Sequence, residues 1–177
     1  MAGLPPNLQR IVDAEYPRFS DGEIARRRAA LEAVLTQAPC DHLIFCGANR
    51  FGSAVQWLTQ WPVTAEAVGV FTPGKRDALF VQHVNHAPQA ALLADKADVA
   101  WGGASCIASA LEVLDKRGAQ QDRVAFIGPL TADQHAAVTA KFAAPKNLVR
   151  LSVGIESADD LVADLAQALV RSPAAHA

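Results

Sequence analysis

The sequence is poor in most features that mark a secreted, membrane-bound or nucleotide-driven chain. Its three cysteines, Cys40, Cys46 and Cys106, are odd in number and show no C-x-x-C spacing, so neither a zinc knuckle nor a disulfide framework is written into them. They read as reduced thiols in a cytoplasmic protein, since a buried Cys usually serves as a small hydrophobe. No uninterrupted apolar run reaches the roughly 20 residues of a membrane-spanning helix. The opening MAGLPPNLQR has no apolar signal-peptide core, so neither secretion nor membrane insertion is expected. Strong charge of one sign is missing too, with 18 acidic against 16 basic residues. The one dense basic cluster, Arg26-Arg27-Arg28, has Glu23 and Glu32 nearby in the sequence; it reads as a solvated helix face and not as a nucleic-acid footprint.

Several motifs are approached and missed. Gly47 and Gly52 are spaced as in a phosphate-binding loop, but Ser53-Ala54 follow where a Lys and a hydroxyl are required, which excludes nucleoside triphosphates. Asn49 occupies the place of the second glycine in G-x-G-x-x-G, so a pyrophosphate has no close backbone approach. There is no G-x-S-x-G elbow, and Ser20, Ser105 and Ser157 are placed as helix caps. His83 and His86 in HVNH are two imidazoles without a third ligand, a weak zinc signature. His42 and His135 read as isolated in a strand edge and a helix, and no metal is assigned to any of them. Cys46 at a strand end reads as a packed residue, because no cation or helix start beside it would favour a thiolate.

What remains is a well-cored α/β chain. Apolar residues make up 51% and charged ones 19% of 177 residues, and a chain of that size buries about 70% of its unfolded surface. Ser20 and Glu23 form an S-x-x-E capping box opening a helix over 21–37, with Ile24, Leu31, Leu35 and Ala38 on one face and Glu23 and Arg27 off it. Strands are predicted at 43–46, 65–71, 77–82, 98–101, 123–127 and 148–153, the second and third joined as a hairpin by Thr72-Pro73-Gly74-Lys75. Helices are predicted over 85–93, from the Ser105 cap to Arg117, from the Thr131 cap to Phe142, and from Ser157 onward. The pattern implies a mixed sheet of six strands flanked by helices, ribonuclease-H-like, with an antiparallel meander first and the later strands beside the first one. An N-terminal extension over 1–18, an α/β domain over 19–155 and a C-terminal helix and tail over 156–177 complete the division.

The stretch from Leu43 to Trp61, LIFCGANRFGSAVQWLTQW, is where a ligand is expected first. Loops after the carboxyl end of a strand are the usual ligand sites of open α/β sheets, and Asn49 and Arg50 are the polar groups placed there. Trp57 and Trp61, four residues apart, are expected on one helical face, with Trp61 half exposed before Pro62.

These elements together resemble the N-terminal domain of the creatinase, prolidase and Xaa-Pro aminopeptidase family, the pita-bread metallohydrolases. Phe19-Ser20-Asp21-Gly22-Glu23-Ile24 with Arg27, Arg28, Leu31 and Leu35 is similar to the family's opening helix, Asp41-His42-Leu43-Ile44-Phe45 to its first strand, and Trp57-Leu58-Thr59-Gln60-Trp61 to its Y-L-T-G-F segment. Trp101-Gly102-Gly103, Arg123 to Gly128 and Val170-Arg171-Ser172-Pro173-Ala174 resemble the end of that domain. The resemblance implies a non-catalytic domain that supports a homodimer and restricts substrate access, with Asn49, Arg50 and Trp61 as its substrate-access residues. It places the dinuclear metal centre in a pita-bread catalytic domain, with no cofactor in this chain. The alternative is a stand-alone module that binds a partner protein or a small anion, the latter at Gly102-Gly103 before the Ser105-capped helix.

Overall fold

The computed structural model describes residues 5–7, 9–10, 18–49 and 53–142. The elements are α1 (Asp21–Gln37), β1 (His42–Ala48), α2 (Ser53–Thr59), β2 (Glu66–Phe71), β3 (Asp77–Val81), a 3-10 turn (Val84–His86) running into α3 (Ala87–Leu93), β4 (Ala97–Trp101), α4 (Cys106–Lys116), a second 3-10 turn (Ala119–Gln121), β5 (Val124–Ile127) and α5 (Ala132–Lys141). The sheet has five strands among the described residues, in the order β4-β3-β2-β1-β5, where six were expected. The sixth strand, over 148–153, and the helix after Ser157 lie outside the described residues, as does the boundary after 155.

The meander holds: β2 is antiparallel to both β1 and β3. The expectation that all later strands join beside β1 holds for β5, which pairs with it in parallel, while β4 instead extends the far side along β3, also in parallel. The short α3 carries the chain from the end of β3 back to the start of β4, and a crossover of that length reaches only the neighbouring strand.

The central strands β1, β2 and β3 read as almost continuous apolar runs because helices cover both faces, whereas the edge strand β4 is mostly exposed. Side-chain alternation sorts each strand between two cores. Leu43 and Phe45 of β1 join Phe71, Leu79 and Val81 beneath Leu35 of α1, Val55 and Leu58 of α2 and Ala90 of α3. Ile44 and Cys46 join Val68, Val70 and Ala78 beneath Ile107, Ala110, Leu111 and Leu114 of α4 and Val138 of α5. Gly69 sits in mid-strand because its cross-strand partner, Phe45, lays its ring over it; a Cβ there would come within 2.0 Å of that ring.

Helix starts follow the sequence signals, with one difference. Ser20 Oγ accepts from the Glu23 amide, but the Glu23 carboxylate turns to Arg26 and Arg27 and does not complete the capping box. Those two partners, through hydrogen bonds first, hold the Glu23 carboxyl at about 2. The reciprocal box forms at Thr131 and Gln134.

The arginine cluster is only partly a solvated face. Arg26 is exposed, whereas Arg27 is buried on the face expected to exclude it. Its guanidinium donates to Glu23 and to the Trp57 carbonyl and lies 3.7 Å from the centre of the Phe19 ring, so the charge is solvated by protein groups. Arg28 crosses to β3 and pairs with Asp77, whose side chain is 1% exposed. Asp77 Oδ1 has no hydrogen-bond partner. Burial raises the Asp77 pKa against the pull of Arg28, Arg117 and Arg76.

A second polar cluster lies under the same end of the sheet. His42, expected to be isolated, is 4% exposed and contacts Thr72 Oγ1 through Nδ1 at 2.8 Å and Asp122 Oδ2 through Nε2 at 2.9 Å. Arg117 donates to the same Thr72 hydroxyl. The Thr72 hydroxyl thus joins the His42 ring to Arg117.

Two stability predictions follow from this packing. Gly69→Ala should destabilise the fold by about 1–3 kcal/mol, the cost of an overpacked core, read as a lower urea midpoint at an unchanged slope; an unchanged midpoint would show that Phe45 has room to move. Arg28→Ala should cost about 3 kcal/mol, because it strands a buried carboxylate, and well under half of that in an Asp77→Asn background. Burial raises the Asp77 pKa and Arg28 opposes it, so Arg28→Ala should raise it further, and the deficit should shrink as pH falls from the variant's folded value to the native one. A deficit that is constant with pH would show that the charge of Asp77 is not its cause.

Candidate functional site

Four of the five strands point the same way. β1 is parallel to β5 and β3 to β4, and β1 and β3 both run against β2, so the carboxyl ends of β1, β3, β4 and β5 share one rim. In open α/β sheets that rim is where ligands sit. Here it carries Asn49 after β1, Gln82 and His83 after β3, Trp101 and Gly102 at the end of β4, Gly128 after β5, and Glu66 at the start of the reversed β2. Gly128, at φ 107, lies so close to β1 that a Cβ would meet the Cys46 carbonyl oxygen at 2.1 Å.

Asn49 takes a left-handed conformation, φ 49, which Asn tolerates better than most residues. Its amide donates to the Ala65 carbonyl at 2.7 Å, which fixes the turn and leaves an exposed residue at the rim. Arg50 lies outside the described residues. Trp61 does not take the half-exposed place expected of it: it is 8% exposed and belongs to the core formed with Phe45 and Leu58. Nor do Trp57 and Trp61 share a helical face, because α2 ends at Thr59 and Gln60 is left-handed at φ 65. That reversal sends Trp61 inward and leaves Trp57, 37% exposed, beside Arg27. Trp61 therefore shapes the rim from beneath and presents no surface for a ligand to dock on.

Its aromatic edge leads to two residues that sequence spacing undervalued. The Trp61 and His86 ring centres are 5.6 Å apart, and those of His86 and His83 are 5.1 Å apart at 85°. The three rings form a row from core to surface, with His86 half-buried and His83 exposed. The H-x-x-H spacing was the available signal, and the turn closed by the His86 amide on the His83 carbonyl brings the two residues together.

The remaining polar groups of the rim are engaged. Glu66 accepts from the Gln134 amide group at 2.7 Å, and its backbone amide donates to Gln82 Oε1. The Trp101 indole, 54% exposed, donates to the Gln82 carbonyl. Ser105 Oγ is spent on the Ala108 amide, and a Cβ on Gly102 would strike Cys106, so the start of α4 is capped and closed from within. Cys46 and Cys106 are buried thiols pushed up to about 12, chiefly by desolvation and further by the Glu66 charge. At the opposite end of the sheet, the crevice of Ile24, Leu58, Gln60, Asp77 and Asp95 is too narrow to admit water. Among the described residues no group of three or more His, Cys, Asp or Glu could hold a metal ion.

Comparisons with known proteins place this geometry. A family model described as Cys/Met metabolism PLP-dependent enzyme matches residues 130–170, under a quarter of the chain. The described part of that match does not fit such a cofactor, since Lys141 is tied to Asp115 on the surface and α5 buries only Val138. No curated protein matches the sequence. Among solved structures, the chain is similar to the Xaa-Pro aminopeptidase (aminopeptidase P) of Streptococcus thermophilus, at 15% identity and a TM-score of 0.54 over 81% of this chain and 98% of that one. The Xaa-Pro dipeptidase of Bacillus anthracis matches at 14% identity and a TM-score of 0.57, over 80% of this chain and 35% of that enzyme. The N-terminal creatinase/prolidase-like domain of a metallopeptidase from Corynebacterium diphtheriae matches at 15% identity and 0.53, over 73% and 95%. At these identities the likeness shows the fold, an α/β domain like the N-terminal domain of creatinase and prolidase, and the chain spans about a third of the Bacillus dipeptidase.

The thiols give a direct check on the rim. In the native protein a thiol reagent should titrate Cys40, which is partly exposed, quickly, and Cys46 and Cys106 only on unfolding, because the thiolate is the reacting form. Rapid native labelling of Cys46 would mean that the rim opens to the core.

Proposed function

We propose that this chain serves as the non-catalytic N-terminal domain of a Xaa-Pro aminopeptidase-, prolidase- or creatinase-like metallohydrolase. In this reading it supports a homodimer and presents its carboxyl rim at the mouth of a neighbouring active site. The observation that carries the proposal is the coverage: the chain spans 95% of a separately solved creatinase/prolidase-like N-terminal domain, yet only 35% of a whole dipeptidase of similar fold. The described rim supplies polar groups for recognition but no ligand set for a catalytic metal. Hydrolysis in such an enzyme requires a metal-activated water, which this reading assigns to a pita-bread catalytic domain.

Asn49 and Arg50 are the proposed substrate-access residues. A guanidinium suits a substrate carboxylate because it is always charged and offers two parallel donors. The part proposed for Trp61 is indirect, through the ring row it supports.

Three measurements test the reading. The isolated chain, given Mn2+ and a dipeptide ending in proline, should release no amino acid above blank, and chelator-sensitive turnover would overturn the non-catalytic assignment. Sedimentation should show concentration-dependent self-association, whereas a strict monomer at high concentration would favour a stand-alone module. In an enzyme joining this chain to a pita-bread domain, Arg50→Ala should weaken substrate binding by about 1.5–3 kcal/mol, the range for a hydrogen bond to a charged group, with Arg50→Lys recovering only part of it. Asn49→Gly, which keeps the left-handed turn, should raise KM with little change in thermal stability; an unchanged KM in both variants would remove this loop from the site.

A further inference from the structure

We propose that His83 and His86 form a two-imidazole site for a borderline divalent metal ion, Zn2+, Ni2+ or Cu2+, on the carboxyl rim. The site is independent of the hydrolase reading and of any catalytic metal centre. Imidazole is the side chain best matched to these ions, and the 3-10 turn brings the two rings onto one edge. That turn is closed by the His86 amide donating to the His83 carbonyl at 2.9 Å. With a metal–nitrogen bond of about 2.1 Å and about 1.1 Å more from nitrogen to ring centre, two imidazoles at a tetrahedral angle place their centres roughly 5.2 Å apart. The observed separation is 5.1 Å, so the two rings lie within reach of a shared ion once their nitrogens converge.

The perpendicular arrangement of the rings requires one of them to turn about its Cβ–Cγ bond to aim a nitrogen at the shared position. That torsion is broad for His, and His83 is exposed and free to make the turn. His86 is the fixed partner, since it packs against the buried Trp61. Two protein ligands leave the other coordination positions to water, which makes the site exchangeable and open, in contrast to a closed structural zinc site. The expected order of affinity puts Cu2+ first.

The test is a Zn2+ titration of the whole chain, following the imidazole nitrogens of each histidine by long-range proton–nitrogen correlation, with Cu2+ quenching of tryptophan emission as a second readout. The His83 and His86 signals should move together and saturate at one equivalent. His83→Ala and His86→Gln should each lower Zn2+ affinity at least tenfold and abolish the shift of the remaining ring. The buried His42 signal serves as the control that each variant is folded. Zn2+ that leaves both rings unshifted, or that binds His83→Ala as tightly as the native chain, would overturn the proposal; in the second case His135 or His176 would carry the binding.

Discussion

Burial of the central strands on both faces is the constraint from which the rest of the structure follows. A strand covered on one side can alternate apolar with polar residues, but one covered on both sides has no face left for charge. β1 and β2 accordingly place apolar residues in each of two cores, Phe45 in one and Ile44 and Val70 in the other. Where two side chains compete for one space, a residue loses its side chain: Gly69 lies under Phe45, and Gly128 against the β1 backbone. Polar chemistry is displaced to the two ends of the sheet.

The two ends use their polar groups differently. At the amino ends of β1 and β3 the groups bond to one another: Arg28 with Asp77, Arg117 with Thr72, and His42 between Thr72 and Asp122. These contacts fasten α1 and α4 to the sheet, while Asp77 Oδ1 keeps no hydrogen-bond partner. At the carboxyl ends Asn49 and His83 stand exposed. The parallel pairs set this asymmetry, because they align four chain exits on one rim.

Arg27 and Trp61 show how burial can reverse a residue's apparent role. Arg27 looks like one of three solvated charges, yet it packs between Phe19 and Trp57 with its fork satisfied by Glu23 and a backbone carbonyl. Trp61 looks like a surface ring stacked with Trp57, yet a single left-handed residue, Gln60, turns it into the core. Local spacing gives a helical face in each case; a contact distant in sequence overrides it for Arg27, and a reversal of the backbone overrides it for Trp61.

The sequence by itself determined the elements, because their signals are local. Ser20, Ser105 and Thr131 cap the helices, Thr72-Pro73-Gly74-Lys75 turns the hairpin, and apolar runs mark all five strands. It also carried the likeness to the creatinase and prolidase domain and placed Asn49 at a strand's carboxyl end. Only the tertiary structure decided that β4 lies beside β3 and not beside β1, since edge choice depends on how a short crossover packs and leaves no mark on the strand's own pattern. It also decided that His42 is buried in a polar cluster and that Arg28 reaches Asp77 49 positions away, because each of these contacts joins parts of the chain whose approach no local period encodes.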